Sequence, residues 1–312
     1  MINYRKAAIV GMGNVGASIA FALMQKDLYS EMVLIDVNAA KAEGEAMDLS
    51  DGLPYVGSMR IYSGTYEDAG DASLIIITAG AAQKPGETRL DLVKKNTAIM
   101  KSVIDEIKKT GFEGILLIVA NPVDILTRQA QILSGYPESR VIGSGTVLDT
   151  ARLKDEISQH LAVDARNVHT MIIGEHGDSE VPVWSITNIA GVPLTEFCEL
   201  RGFTHDHQAA MNALYENVRD SAYKIIERKG STYYGIAMAV ARIASCIVKD
   251  EHSVLPVSVA LHGEYGIEDV HLSIPAIVGH DGVEKVLTIK LDEKELACLH
   301  ASADALKALQ TE

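Results

Sequence analysis

Three residues near the middle of this chain, Asp149, Arg152 and His176, are of types that can do acid–base and anion-binding chemistry. Asp149 and Arg152 stand three apart in the helical pattern Thr146 to Lys154, so both project from nearly one face. His176 occupies a glycine-flanked turn, Gly174-Glu175-His176-Gly177-Asp178, after the strand-like run Val168 to Ile173. An imidazole exchanges protons near neutral pH, a carboxylate can orient it, and a guanidinium offers a planar fork to a carboxylate. A second arginine, Arg89, lies in the polar segment Gly80 to Leu92, which also holds Gln83, Pro85 and Gly86 and follows the buried-strand pattern Ser73 to Thr78. Ligands of open parallel sheets bind beyond the carboxyl ends of the strands, so this loop is a candidate lid with hinges at Pro85 and Gly86. The set suits ketone reduction, with a proton donor, its orienter, a carbonyl polariser and a carboxylate clamp. Taken singly, each residue also has a plainer reading: a surface ion pair, a turn histidine, a solvated connection.

A second cluster lies at the amino terminus. Gly11-Met12-Gly13-Asn14-Val15-Gly16 separates the apolar run Ala7 to Val10 from an apolar helix, and Asp36 ends the next run, Met32 to Ile35, twenty residues after Gly16. Glycines so spaced permit a tight turn, backbone approach to a pyrophosphate and close helix packing, while the helix amino terminus favours negative charge. Asp36 would accept hydrogen bonds from ribose hydroxyls and repel a 2′-phosphate, which points to NAD over NADP.

These clusters need a frame, and the pattern of the chain supplies one. Strand runs at Ala7 to Val10, Met32 to Ile35, Ser73 to Thr78 and Ile115 to Val119 alternate with helices, including Leu92 to Lys109, whose apolar face also carries Asn96. This is βαβ organisation. The second half changes character: helices from about His207 to Lys229 and Thr232 to Lys249, then antiparallel-strand signals at Val254 to Ala260, His271 to Val278 and Val286 to Ile289, and a last helix, Glu293 to Leu309. The fold expected is α/β, a Rossmann doubly wound parallel sheet over residues 1–143 joined to a mixed α+β catalytic domain over 144–312.

Composition narrows the partners. With 312 residues and 47% hydrophobic side chains the chain can bury substantial cores, and its net charge of −14 speaks against a nucleic-acid partner. Cys198, Cys246 and Cys298 form no CxxC pair, which suits reduced thiols in the cytoplasm and offers no zinc framework. His205 and His207 flank Asp206 without completing a ligand set, so no metal is expected. No stretch is long and apolar enough to suggest a membrane span.

The ordered segments Gly11 to Ser18, Gln83 to Asn96, Asn121 to Asp124, Thr146 to Arg152, Gly174 to Glu180 and Lys229 to Met238 make the whole chain resemble the lactate and malate dehydrogenase family, in its bacterial L-lactate dehydrogenase form. The resemblance implies NAD as cofactor, with Gly11, Gly13, Asn14, Val15, Gly16, Asp36 and Asn121 as its contacts. It implies His176 as general acid in reduction and base in oxidation, Asp149 as its orienter, Arg152 as the grip on the substrate carboxylate and Arg89 as the carbonyl polariser. Asn121 would sit near nicotinamide and substrate, with a cis bond to Pro122, and Thr232 would line the far pocket wall. Substrate choice would turn on Gln83, because malate dehydrogenases of the family place arginine there for a second carboxylate. A neutral glutamine leaves that carboxylate unpaired, which favours pyruvate and L-lactate. The resemblance further implies a homotetramer, and Lys154 and His169 match positions that bind fructose 1,6-bisphosphate in activated members; lysine at 154, where arginine is common, gives up the bidentate fork. Two other readings stay open: a malate or broader L-2-hydroxyacid dehydrogenase, against which Gln83 speaks, and a non-catalytic NAD-binding structural protein, which would not need His176, Asp149, Arg152 and Arg89 together.

Overall fold

Strands β1 (Asn3–Val10), β2 (Glu31–Ile35), β3 (Arg60–Ser63), β4 (Ala72–Ile77), β5 (Ile115–Ile118) and β6 (Val141–Gly143) run parallel in the spatial order 3-2-1-4-5-6. The structure is a computed structural model that describes residues 1–81, 88–203 and 206–310. Strands β4 and β5 are buried at every position because helices cover both faces of the sheet, which is why they read as unbroken apolar runs. The two-residue period divides them: Ile76 and Leu117 face one core with α1 (Asn14–Lys26) and α2 (Ala39–Gly52), while Ile75, Ile77, Leu116 and Ile118 face the other with α3 (Arg89–Lys109) and α4 (Val123–Ser134). This is the doubly wound arrangement, with the ends of β1 and β4 at the point where strand order reverses.

The second half adds α5 (Val147–Leu161), α6 (Leu194–Leu200), α7 (His207–Lys229), α8 (Tyr234–Lys249), the antiparallel strands β7 (Ser253–His262), β8 (Glu268–Gly279) and β9 (Gly282–Val286), and α9 (Glu293–Gln310). The sheet crosses from its parallel to its antiparallel part between β6 and β7, through the antiparallel pair Gly143–Ser258. Glycine is needed at this crossing: a Cβ on Gly143 would stand 2.4 Å from Thr127 Oγ1 and 2.7 Å from Ser258 Cβ.

Three expectations about elements need correction. The run Val168 to Ile173 is two short strands, Val168–His169 paired with Asn188–Ile189 and Ile172–Ile173 paired with Val181–Pro182. The last antiparallel strand ends at Val286, because the turn at His280 and Asp281 sets its register from Gly282 rather than from Val286 to Ile289. Helix α8 begins at Tyr234, leaving Thr232 in the irregular connection from α7.

Candidate active site

The glycine-rich turn is held from the second strand. Asp36, just past β2, accepts from Met12 N at 2.6 Å through Oδ2 and from Asn38 N at 2.8 Å through Oδ1, so it braces the turn while each oxygen keeps a lone pair for another donor. Gly11 has φ +100°, and a Cβ there would lie 2.7 Å from Ala79 N; a Cβ on Gly16 would lie 1.9 Å from Gly11 O. Both glycines are fixed by close packing. Gly13 differs: a Cβ there meets nothing within 4 Å, and it caps α1 without a side-chain hydrogen bond. The free space lies at a helix amino terminus, where the unpaired N–H groups favour a phosphate. Val15 packs against the core, and Asn14 Nδ2 donates to Ser231 Oγ at 3.0 Å, tying the turn to the segment that carries Thr232.

The acid–base cluster is assembled from two elements, α5 and the loop Gly174 to Glu180. Asp149, on the first turn of α5, is 2% exposed and divides its oxygens: Oδ2 lies 2.5 Å from His176 Nδ1 and Oδ1 accepts from Arg152 Nη1 at 2.9 Å. Burial opposes charge on His176, but the Asp149 carboxylate outweighs it and raises the imidazole to about 9. Burial likewise opposes charge on Asp149, and His176 and Arg152 overcome it, holding the carboxyl below its usual range. With Nδ1 committed to Asp149, Nε2 is the nitrogen left for a ligand.

The loop bearing His176 is fastened on every side. Its backbone N donates to Asp124 Oδ2 at 2.9 Å, and Asp124 Oδ1 in turn accepts from Ser258 Oγ at 2.6 Å. Gly174 bridges Ser273 of β8, and Glu175 N donates to Ser302 Oγ of α9 at 2.8 Å. From α7, Tyr215 Oη donates to Glu180 O and Tyr223 Oη to Asp178 Oδ1, both at 2.8 Å. Sequence reasoning gave no role to Asp124, Tyr215 or Tyr223. The one available signal was an acid in the segment Asn121 to Asp124; the tyrosines have none, since their partners are far away in the chain.

The base of the candidate lid is organised by buried Asn96 of α3. Its Oδ1 accepts from Ala81 N at 2.8 Å, and its Nδ2 donates to Ala81 O at 3.2 Å and to Asn121 O at 2.7 Å. Asn121 is thereby fixed, with an exposed side chain and a cis bond to Pro122. Arg89 opens α3 behind the Thr88–Asp91 capping box, but its side chain, like the whole of Gln83, lies outside the described residues. Thr232 is half-buried.

Lys154, Arg152 and Arg242 line one open groove between α5 and α8; burial and then the Arg242 charge lower the pKa of Lys154. His169 is exposed on its short strand and does not line this groove, which takes Thr170 and Met171 instead. His205 lies outside the described residues. One surface group that the sequence did not suggest, Asp250, His252 and Glu284, brings its donor atoms within 4.8 Å of one another, but both ring nitrogens of His252 face these carboxylates. Among the described residues no helix is long and apolar enough to cross a membrane.

Known proteins resemble both halves. The profile of the lactate/malate dehydrogenase NAD-binding domain matches residues 5–143, and that of the family's α/β carboxyl-terminal domain matches 146–312. An L-lactate dehydrogenase of Acetivibrio thermocellus is 51% identical over 98% of this chain and 96% of its own length. L-lactate dehydrogenase 1 of Enterococcus faecalis is also 51% identical, over 98% of this chain and 93% of its own. The crystal structure of the minor L-lactate dehydrogenase of Enterococcus mundtii in its ligands-bound form superposes with a TM-score of 0.94 at 48% identity, covering 98% of this chain and 97% of that one. The ligands-unbound form of the same enzyme gives 0.90 at 46% identity, covering 99% and 97%.

Proposed function

This chain belongs to the lactate/malate dehydrogenase family and is an NAD-dependent oxidoreductase, and from that premise we propose that it interconverts pyruvate and L-lactate. The observation that carries the reading is the division of Asp149 between His176 Nδ1 and Arg152 Nη1, which joins a proton donor and an anion clamp through one buried carboxylate. His176, protonated at neutral pH, gives its Nε2 proton to the carbonyl oxygen in reduction and takes it from the hydroxyl in oxidation. Asp149 holds the ring and stabilises the imidazolium; Arg152 grips the substrate carboxylate.

The amino-terminal turn fits NAD. Gly13 leaves the space a pyrophosphate requires, Gly11 and Gly16 set the backbone around it, and Asp36 would accept from the ribose hydroxyls, with Asn14, Val15 and Asn121 completing the contacts. When bound, the cofactor supplies or accepts the hydride at the substrate's second carbon. Arg89 polarises the carbonyl from the lid, Thr232 lines the far wall, and Gln83 selects against a second carboxylate.

Regulation and assembly extend the same reading. Lys154 and Arg242, the latter paired with Glu251, line one groove that could take an anionic effector such as fructose 1,6-bisphosphate, with His169 contributed across an interface of a homotetramer in the cytoplasm. One assay tests the whole reading: NADH oxidation with pyruvate, oxaloacetate and 2-oxoisocaproate, with and without the bisphosphate, on the parent and on Gln83→Arg and Lys154→Ala. Pyruvate should lead in kcat/KM by about 10²-fold or more, Gln83→Arg should move preference to oxaloacetate, and Lys154→Ala should abolish a bisphosphate-induced fall in pyruvate KM. Oxaloacetate leading in the parent sinks the lactate assignment; no response to the bisphosphate sinks only the regulatory part.

A further inference from the structure

Glu180 has no part in the mechanism above, yet it stands inside the site. The turn closed by Glu180 N to Gly177 O at 3.2 Å folds the chain back after His176, and Tyr215 Oη clamps the Glu180 carbonyl at 2.8 Å. The residue is 6% exposed, and its Oε1 is buried with no hydrogen-bond partner among the described residues. The charged and titratable groups around it are Asp149 and Arg152 from α5, His176 and Asp178 from its own loop, and Tyr215 from α7. Both cations are already engaged by Asp149, at 2.5 and 2.9 Å.

We propose that Glu180 is a positioning residue: as a neutral acid it leaves the positive charge of His176 and Arg152 to the substrate carboxylate, and as an anion it cancels that charge and closes the site to 2-oxo acids. Among the buried groups Asp149 offsets one of the two cations, leaving an excess of one positive charge for a monoanionic substrate, while the exposed Asp178 is screened by solvent. Whatever Asp124 carries at the back of the loop, an ionised Glu180 subtracts one more. The arriving carboxylate would then enter a buried site with no net charge to meet it, and burying an uncompensated charge is costly. A carboxylate with one oxygen buried and unpartnered is itself unfavourable, so the neutral form is the one this geometry suits. Burial, with the Asp149 charge added, pushes the Glu180 carboxyl up to about 8, so the change of state falls just above neutral pH.

The inference rests on pyruvate being held at Arg152, and pyruvate KM as a function of pH tests it. In the parent, KM should begin to rise at about 8 and then climb about tenfold per pH unit. In Glu180→Gln the rise should start later, where His176 loses its proton; that limb lies below about 9, because the Glu180 charge is one of those that raise His176. Glu180→Leu, equally unable to ionise, should show the same displacement, and Glu180→Asp should restore the earlier rise. NADH affinity, read by fluorescence, should show no change with pH at this limb. If the rise at about 8 persists in Glu180→Gln or Glu180→Leu, the proposal fails while the reaction assignment stands. If neither variant folds, infrared titration of the parent decides: a protonated-carboxyl band lost at about 8 supports the proposal, and none there overturns it. No pyruvate turnover at any pH overturns both readings.

Discussion

The two halves of the molecule build their sites by opposite means. In the amino-terminal half the proposed pyrophosphate cradle is backbone: a turn, a helix end and the space left by Gly13, with the Asp36 side chain bracing the turn from the neighbouring strand. In the carboxyl-terminal half they are side chains from α5 and the loop Gly174 to Glu180, held by α4, α7 and α9. A backbone cradle needs few ligand-facing side chains, although distant neighbours such as Ala79 still forbid a Cβ on Gly11. A buried charge cluster depends on every partner, because a removed counter-charge leaves another one unpaired.

That contrast is broken most strongly at His176. His176→Asn should lower kcat by about 10² to 10⁴-fold with little effect on NADH affinity, and Asp149→Asn should fall in the same range, the double variant being no worse than the poorer single. Single-turnover kinetics with stopped-flow NADH absorbance measures this; additive losses would mean that the two do not act as a unit.

The glycines sharpen the comparison. Gly16→Ala sets a Cβ 1.9 Å from Gly11 O and should cost about 1–3 kcal/mol of stability or more, along with NADH affinity. Gly13→Ala meets open space, so its melting temperature should hold while NADH affinity falls by about tenfold or more. Melting curves and NADH titration of the pair separate packing from ligand clearance; a destabilised Gly13→Ala variant would refute the distinction.

The smallest effect is on stability against pH. The His176 pKa is raised in the folded state, from 6.5 to about 9, so its contribution is complete below the unfolded value and is lost as pH rises through about 9. Because the ring is partly exposed, about 2 kcal/mol is expected rather than the full value of the shift. Urea unfolding across that window should show the loss, and Asp149→Asn should flatten it; an unchanged slope in that variant would assign the loss to other groups.

Periodicity and local spacing made β1, β2, β4 and β5 legible, since each is an apolar run buried on both faces. Strands β3 and β6 escaped, having four and three residues, too few for a period to show. The run Val168 to Ile173 misled because apolar content reports burial and not which neighbour a strand will pair with. Likewise the end of β9 was set by its hairpin turn rather than by the apolar residues that follow.

By itself the sequence determined the doubly wound half, the glycine turn with its acid, and the residue types available for proton transfer and anion binding, because those follow from local conformation and intrinsic chemistry. Only the tertiary structure decided that Asp149 serves His176 and Arg152 at once, that Asp124 and two tyrosines of α7 hold the histidine loop, and that Glu180 is turned inward with an unpartnered oxygen. These are contacts between segments as far as 52 residues apart, such as His176 with Asp124. Their energies depend on burial and on which charge lies next to which, and neither quantity exists until the chain has folded.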